Sequence, residues 1–191
     1  MSRFEGAVLL SIGVLGAVSV GFAQSPATAP VTYSQTGQPL VAAATNQPPT
    51  PAAPGPSLQA SLDAAQLAVK TCKGLDQNVG VTIIDSAGVP KVVLATDGAS
   101  PRGVQSSTNK ALTALAFKSA TSALGEKIKT DAELAAKVAA NPTYNKNAGG
   151  LLITNGSDII GAVGVGGAKG SEKDEACAKA ALEKLVAAGR G

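Results

Sequence analysis

A glycine-rich run between a predicted strand and a predicted helix has the composition of a ligand-binding loop. It spans residues 164–171 (GVGGAKGS). Free backbone amides at the start of a helix attract anions, and Lys169 would reinforce such a pocket. The run lacks the third glycine of a dinucleotide-binding loop and the Gly-Lys-Ser/Thr triplet of a P-loop. Tight packing of a sheet against a helix explains the same glycines, so an anion pocket and a packing role both stay open.

Three carboxylates, Glu172, Asp174 and Glu175, follow in the first turn of the predicted helix. Carboxylate oxygens are the ligands that hard divalent cations prefer. Acidic side chains in this position also complement the partial positive charge at the start of a helix. The helix dipole explains these residues without a metal ion, so they do not by themselves predict a metal site.

The absence of histidine limits the chemistry open to this chain. Its 191 residues include no His, and Met1 is its only methionine. A Ser-His-Asp triad and imidazole coordination of zinc, copper or haem iron are therefore excluded. Because the sequence also shows no nucleophile paired with a base, we predict a protein that is not an enzyme. A net charge of +3 without a basic, aromatic-rich run argues against a nucleic-acid partner.

Two cysteines, Cys72 and Cys177, fall on the first and last predicted helices of the domain. In an oxidising compartment an even pair is expected to be joined, and two buried thiols are the alternative. The spacing does not match a C-x-x-C redox motif, and a zinc site would lack further ligands. A disulfide would place the first and last helices side by side.

The segment Lys110–Gly125 (KALTALAFKSATSALG) predicts a buried central helix, since it is rich in Ala and Leu and has no breaker before Gly125. Ser106 or Ser107 would cap it. Thr113 follows Lys110 by three residues, so both lie on one face of this helix.

The other predicted elements alternate around this helix in the order α-β-β-α-α-β-β-α. Asn155-Gly156 is the strongest hairpin signal in the sequence. An antiparallel sheet with flanking helices, of the α+β class, follows from this order. The predicted elements are a helix from the Ser57 cap to Gly74, strands 79–85, 91–96, 151–154 and 159–165, a loop at 97–103, a helix opened by a Thr130 capping box, and a helix from the Ser171 cap to Gly189.

Composition divides the chain into three parts: 1–23, 24–57 and 58–191. Residues 1–23 have the basic start, apolar stretch and small-residue cleavage site of a signal peptide, with an uncleaved membrane anchor as the alternative. Residues 24–57 hold eight of the eleven prolines and no charge, which predicts a disordered linker, either a spacer or a polyproline ligand. We therefore predict a periplasmic or secreted protein that does not insert into a membrane after signal cleavage.

An ordered set of short motifs runs along nearly the whole of residues 58–188. The motifs are Cys72, Val81–Asp85, Gly88, Asp97–Ala99, Lys110-Ala111, Thr113-Ala114, Phe117, Gly149-Gly150, Gly161–Val165 and Asp174–Ala178. No single motif is specific. As an ordered set they resemble the GlcG/HbpS-like haem-binding family, which also occurs as a domain of PduO-type corrinoid proteins.

The resemblance implies a profilin- or PAS-like antiparallel sheet with flanking helices and adjacent N- and C-terminal helices. It also implies a homo-oligomer that binds haem or a related tetrapyrrole, for storage, sensing or transfer. Thr113 matches a position associated with haem in this family, which makes it a candidate iron ligand. A helix threonine that bonds its own backbone is the alternative for Thr113.

The chain departs from the family pattern where relatives commonly have a histidine, since Arg102 stands there, and where they have a proline, since Leu152 stands there. Haem iron is then left with Thr113, Tyr144, a lysine or a freed cysteine as its ligand. Tyr144 is otherwise an ordinary loop aromatic. The haem propionates would contact three basic side chains. These are Arg102, Lys110 and Lys169.

Two further classes of function stay open from the sequence. One is a non-catalytic oligomeric structural or interaction module that binds no haem. The other, less favoured because of the missing His, is an enzyme acting on haem or on a small acid.

Overall fold

The structure is a computed structural model, and it describes residues 51–188. Five helices and four strands follow one another along this part of the chain. The helices are α1 Leu58–Gly74, α2 Pro101–Phe117, α3 Thr121–Lys127, α4 Ala132–Ala139 and α5 Ser171–Ala188. The strands are β1 Gly80–Asp85, β2 Pro90–Ala95, β3 Gly150–Asn155 and β4 Asp158–Gly166. The predicted α+β class is confirmed.

The four strands form one antiparallel sheet in the order β2-β1-β4-β3. Each outer strand is the hairpin partner of the inner strand beside it, and β1 and β4 pair at the centre. The central register places Val81 opposite Val165 and Ile83 opposite Val163. All four side chains are buried in the main hydrophobic core. The valine and isoleucine runs thus build a sheet that both layers of helices can cover.

Helices α1 and α5 cover one face of the sheet, and α2 covers the other. The α1–α5 layer packs through small residues such as Ala64, Ala68 and Ala181. On the opposite face, an added Cβ at Gly164 of β4 would collide with the Ser107 carbonyl of α2. Small side chains on both faces let the helices approach the sheet closely, so little space remains for large residues.

A disulfide joins Cys72 of α1 to Cys177 of α5, as the even cysteine count predicted. Their Cα atoms lie 5.6 Å apart, and the two residues are 105 positions apart in sequence. Both cysteines are fully buried in the main core. The predicted adjacency of the first and last helices is confirmed.

The central helix begins earlier and ends earlier than the sequence predicted. Ser100 caps α2 by accepting a hydrogen bond of 3.0 Å from the Gly103 amide, and Pro101 starts the helix. The predicted caps were wrong, since Ser107 lies inside α2 and its hydroxyl is 2.7 Å from that of Thr82. The helix ends at Lys118, which has a left-handed φ of 48°. The predicted continuous helix from 110 to 125 is therefore two helices, α2 and α3.

The predicted N-terminal caps of α4 and α5 were also wrong. Asp131, rather than Thr130, caps α4, because its carboxylate accepts from the Leu134 amide at 2.9 Å. Ser171 is the first residue of α5 instead of its cap. The predicted end of that helix, Gly189, lies outside the described residues.

The predicted signal peptide and most of the predicted linker lie outside the described residues. The predicted cap at Ser57 is confirmed, with its hydroxyl accepting from the Ala60 amide at 3.2 Å. Just before it, the Pro54 carbonyl accepts from the Ser86 amide at 2.9 Å, so the last linker residues contact the domain. Between residues 51 and 188, the structure has no helix long and apolar enough to span a membrane.

Candidate functional site

One face of α2 brings most of the predicted site residues together. Arg102, Ser106, Lys110, Thr113 and Phe117 follow one another at steps of four, four, three and four, which places them on one stripe of a helix. The segment 141–149, here called the strap, lies along this stripe. The turn 167–171 borders its N-terminal end.

Thr113 is fully buried, and its hydroxyl makes two hydrogen bonds. The hydroxyl donates to the Asn109 carbonyl at 2.6 Å, which is the backbone bond expected of a helix threonine. It also accepts from the backbone amide of Asn145 at 2.8 Å. The second bond reaches the strap, so Thr113 fastens the strap to α2.

Asn145 makes a second connection to α2 through its side chain. Its Nδ2 donates to the Ser106 hydroxyl at 3.0 Å, and its Oδ1 accepts from the Asn147 amide at 3.1 Å. Asn145 was missed by the sequence analysis, which treated this segment as a loop. The only available signal was an Asn- and Gly-rich composition, which indicates a loop without indicating what it touches.

Tyr144 packs against Phe117 at the C-terminal end of the same stripe. The two rings meet edge to face, with centroids 5.0 Å apart and planes at 75°. The Lys137 ammonium lies 5.9 Å from the Phe117 centroid, close enough for a cation–π interaction. Both rings are half-buried. Tyr144 therefore has the packing role of a loop aromatic. It belongs to the strap, which also covers Thr113.

Lys110 forms a buried ion pair with Asp174 of α5, with Nζ and Oδ2 at 2.7 Å and side-chain exposures of 2% and 4%. The other carboxylate oxygen of Asp174 accepts from the Ala168 amide at 3.0 Å. Burial lowers the pKa of Lys110 and raises the pKa of Asp174, because loss of solvent outweighs their mutual attraction. Lys110 was predicted to contact a propionate, and in this structure its ammonium is bound to Asp174 instead.

A cleft of about 500 Å³ opens beside this ion pair. Arg102, Ser106, Lys110, Ser171 and Asp174 are among its lining residues. The exposed Arg102 side chain is its only cation outside the ion pair among the lining residues. Thr113 and Tyr144 do not line the cleft; the strap lies over that part of α2.

The glycine-rich turn 167–171 uses three of its amides within the protein. The Gly167 and Ala168 amides donate to Asp174, and the Lys169 amide donates to Oε1 of Gln77 at 2.7 Å. Gly167 also lies against Gly103 of α2. These contacts favour the packing interpretation of the run over a dedicated anion pocket. The Lys169 side chain is exposed, and Lys169 follows Ala168, which lines the cleft.

Two carboxylates at the start of α5 form ion pairs. Asp174 pairs with Lys110, and Oε1 of Glu175 lies 3.0 Å from Lys179. The other carboxylate oxygen of Glu175 is buried with no hydrogen-bond partner among the described residues. Within residues 51–188, no group of three or more His, Cys, Asp or Glu side chains is arranged to hold a metal ion.

Few protein atoms in this region could bind haem iron. Both cysteines are joined in the disulfide, so neither is a ligand in the oxidised protein. Of the predicted ligands, the Thr113 hydroxyl and the Tyr144 phenol lie on the α2 side of the sheet, near the strap. These two groups would give haem iron an oxygen ligand, and the Thr113 hydroxyl is buried and bonded to the Asn145 amide.

The chain is similar to one known protein family and to several solved structures. A family model described as "Haem degrading protein HbpS-like" matches residues 57–183. No curated protein matches the chain.

Several solved structures are similar to this chain. A double mutant of HbpS from Streptomyces reticuli is 28% identical, with a TM-score of 0.63, and the alignment covers 84% of this chain and 99% of that one. Protein ORFY of Klebsiella pneumoniae is 24% identical, with a TM-score of 0.66 and coverages of 74% and 97%. PduOC in complex with haem is 24% identical, with a TM-score of 0.63 and coverages of 69% and 95%. The last two likenesses show a shared fold.

Proposed function

We propose that this chain, which belongs to the HbpS-like family, is an exported protein that binds haem on the α2 face next to the strap. The family resemblance predicted from the sequence is confirmed by the match over residues 57–183. Haem is the ligand suggested by relatives, because the family is described by haem degradation and PduOC was solved with haem.

The gathering of the predicted site residues around one helix carries this proposal. An oxygen ligand for iron, Thr113, and an exposed guanidinium, Arg102, lie on one stripe of α2. Haem requires both kinds of group, since it has a Lewis-acidic iron at its centre and two carboxylates at its edge. Arg102 has the geometry to bind a carboxylate through two parallel hydrogen bonds, and Lys169 adds a second exposed cation nearby. The half-buried rings of Phe117 and Tyr144 supply apolar surface for the porphyrin.

The Thr113 hydroxyl donates to the Asn109 carbonyl and accepts from the Asn145 amide. The proposed contact to iron is made by the Thr113 oxygen once it has released the Asn145 amide, while its bond to Asn109 is kept. Tyr144 is the second candidate, since a tyrosine oxygen is a known haem ligand type.

Haem binding for storage, sensing or transfer is the proposed role, in preference to enzymatic degradation of haem. The family description includes degradation, and a haem-degrading enzyme remains the alternative function. The chain has no histidine to move protons during such a reaction. The proposal of a homo-oligomer also follows from the family resemblance.

The export proposal draws support from the disulfide. Buried, structural disulfides persist in oxidising compartments and are rare in the cytosol. Together with the predicted signal peptide, this pairing supports a periplasmic or secreted protein.

The test is a haem titration of residues 24–191 followed by the Soret absorbance, repeated on Thr113→Ala and Tyr144→Phe. We expect saturable binding that Thr113→Ala weakens at least about tenfold, equivalent to about 1.4 kcal/mol. Thr71→Ala is the matched control, because Thr71 is also a helix threonine bonded to its own backbone, at 2.9 Å from the Leu67 carbonyl, but lies on α1. Loss through Tyr144→Phe alone would move the iron ligand to Tyr144.

A second titration tests the propionate contact. Arg102→Gln should weaken binding of haem but not of haem dimethyl ester, whose propionates are uncharged. The expected loss is a few-fold, because a charge pair at an exposed arginine contributes about 0.2–1 kcal/mol. Equal losses for both ligands would contradict a contact between Arg102 and a propionate.

The alternative function is tested by adding peroxide or a reductant to the haem complex. Loss of the chromophore at the rate of free haem supports binding alone. Faster loss, with release of an open-chain product, would support the haem-degrading alternative.

A further inference from the structure

We propose that the strap is a gate over the haem ligand and that Asn145 is its latch. This inference rests on the proposed function, and it concerns access of haem to Thr113. The part of the strap that moves is residues 142–148, between Asn141 next to α4 and the buried Gly149-Gly150 pair.

The burial of Thr113 makes a gate necessary. The side chain is 0% exposed, and the Asn145 amide lies 2.8 Å from its hydroxyl. A metal centre in a large planar ring cannot reach this oxygen while the strap lies over it. Binding of iron to Thr113 therefore requires that Asn145 first release the hydroxyl.

Asn145 holds the strap through two α2 hydroxyls that are seven residues apart. Its amide binds Thr113, and its Nδ2 binds Ser106 at 3.0 Å. Both bonds are of a kind that water replaces at little net cost once the groups are exposed. Pro142, Thr143 and Lys146 of the strap are exposed, and no strap residue belongs to the main core, so opening leaves that core packed. Opening also separates the Lys146 carbonyl from Gly125 of α3, against which it packs.

The C-terminal end of the strap is held in place where it joins β3, so the proposed movement does not extend into the sheet. The Gly150 amide donates to the Thr121 hydroxyl at 2.9 Å, and an added Cβ at Gly150 would collide with the Lys110 carbonyl. Gly149 has a φ of +120°, a conformation that favours glycine and suits the bend between the anchored strand and the strap.

Opening the gate would uncover two parts of the site together. Tyr144 sits in the strap and packs on Phe117 with ring centroids 5.0 Å apart. Movement of the strap separates these rings and frees the Phe117 ring as the Thr113 hydroxyl is released. One displacement therefore provides both the oxygen ligand and an apolar surface for the porphyrin.

The kinetic test compares haem association in wild type, Ser106→Ala and Asn145→Ala by stopped-flow absorbance. Each variant removes the side-chain bond of the latch, so the open state is more populated. We expect association on the order of tenfold faster, equivalent to about 1.4 kcal/mol. Gln105→Ala is the control, because Gln105 makes a comparable bond of 2.8 Å to Asn109 on the exposed side of α2. Wild-type rates in both latch variants would overturn the gate.

Hydrogen exchange of the backbone amides of residues 143–148 gives a readout that a site elsewhere would not produce. Without haem, exchange should be faster in Ser106→Ala than in wild type. In wild type, haem should accelerate exchange of these amides, since Asn145 loses its acceptor, whereas an ordinary ligand slows exchange where it binds. Slower or unchanged exchange on haem binding overturns the gate.

The two proposals fail in different ways. Absence of saturable haem binding by wild type removes the proposed function and the gate with it. Saturable binding that depends on Thr113, combined with unchanged association rates and unchanged exchange, removes the gate alone.

Discussion

The Lys110 ammonium lies 2.7 Å from Oδ2 of Asp174, and this single contact ties α2 on one face of the sheet to α5 on the other. The pair is almost wholly excluded from solvent. Burial removes most of the water that would stabilise each charge, so Lys110 and Asp174 stabilise each other, and backbone amides of the turn 167–171 also stabilise Asp174. The contact therefore joins the helix that presents Thr113 and Arg102 to the start of α5.

Lys110→Met should destabilise the fold by about 3–5 kcal/mol, because Asp174 is left buried without its partner. The measurement is urea denaturation at neutral pH. The double variant Lys110→Met/Asp174→Leu should recover part of this loss, since no unpaired charge remains.

Lys129→Met is the matched control for that experiment. Lys129 pairs with Glu126 at the surface, where the side chains are 64% and 74% exposed, so its loss should cost little. Equal effects of the two lysine substitutions would contradict a special role for the buried pair.

The stability that ionised Glu175 contributes to the fold should be lost in acid. Burial by itself raises its pKa, but the Ser122 hydroxyl and the Lys179 ammonium beside it, with Lys110 further off, lower the pKa below the usual 4.5. A lowered pKa contributes stability above the unfolded value, and this contribution is lost as the pH falls through the folded pKa.

Glu175→Gln should consequently be less stable than wild type at a pH of about 7, with a smaller difference at about 3. Urea midpoints at the two pH values give the measurement. Glu126→Gln, at an exposed ion pair, should show almost no such difference. A gap between wild type and Glu175→Gln that widens in acid would contradict the direction of the pKa shift.

Removal of the disulfide should destabilise the protein substantially. Cys72→Ala/Cys177→Ala frees a loop whose ends are 105 residues apart, for which chain entropy predicts a loss of about 4–5 kcal/mol. Thermal denaturation of wild type and variant, each with and without reductant, measures the effect. The reductant should lower the melting temperature of wild type and leave that of the variant unchanged. A lower melting temperature in the variant would mean that the reductant acts on something other than this disulfide.

Gly164→Ala should push α2 away from the sheet locally and destabilise the fold. An added Cβ would collide with the Ser107 carbonyl and lie 2.7 Å from the Ala111 backbone nitrogen. Overpacking of this kind costs about 1–3 kcal/mol or more, because backbone must move. Gly74→Ala is the control, since an added Cβ there meets nothing within 4 Å. The melting temperature and the haem affinity should both fall in Gly164→Ala, and neither should fall in Gly74→Ala.

The hairpins were predictable because their signals are local. Alternation of apolar residues and Asn155-Gly156 placed β3 and β4 within a residue or two of their observed ends. The adjacency of α1 and α5 was also predictable, since two cysteines in a chain with a predicted signal peptide are expected to form a disulfide.

The ends of α2 were not predictable by the same means. Ser100-Pro101 was included in a loop, although serine at the cap and proline at the first position also start helices. The end at Lys118 has no sequence signal, because a lysine replaces the glycine usual for a left-handed cap.

The site was predictable only as a set of residues on one helix. That Asn145 covers Thr113, 32 positions earlier, depends on tertiary contacts that no local pattern encodes. The pairing of Lys110 with Asp174 is equally remote, at a separation of 64 positions. In both cases the residue types were visible, but their partners were not.

The two ends of the described domain lie together, since Pro56, Ser57, Val186 and Ala188 line one cavity of about 480 Å³. Helices α1 and α5 thus run in opposite directions, with Cys72 and Cys177 toward the far end of the pair. Tension applied between the two ends would peel α1 from α5 only as far as the disulfide. The 105-residue loop behind that bond contains the sheet, α2 and the strap, so mechanical load would bypass the site.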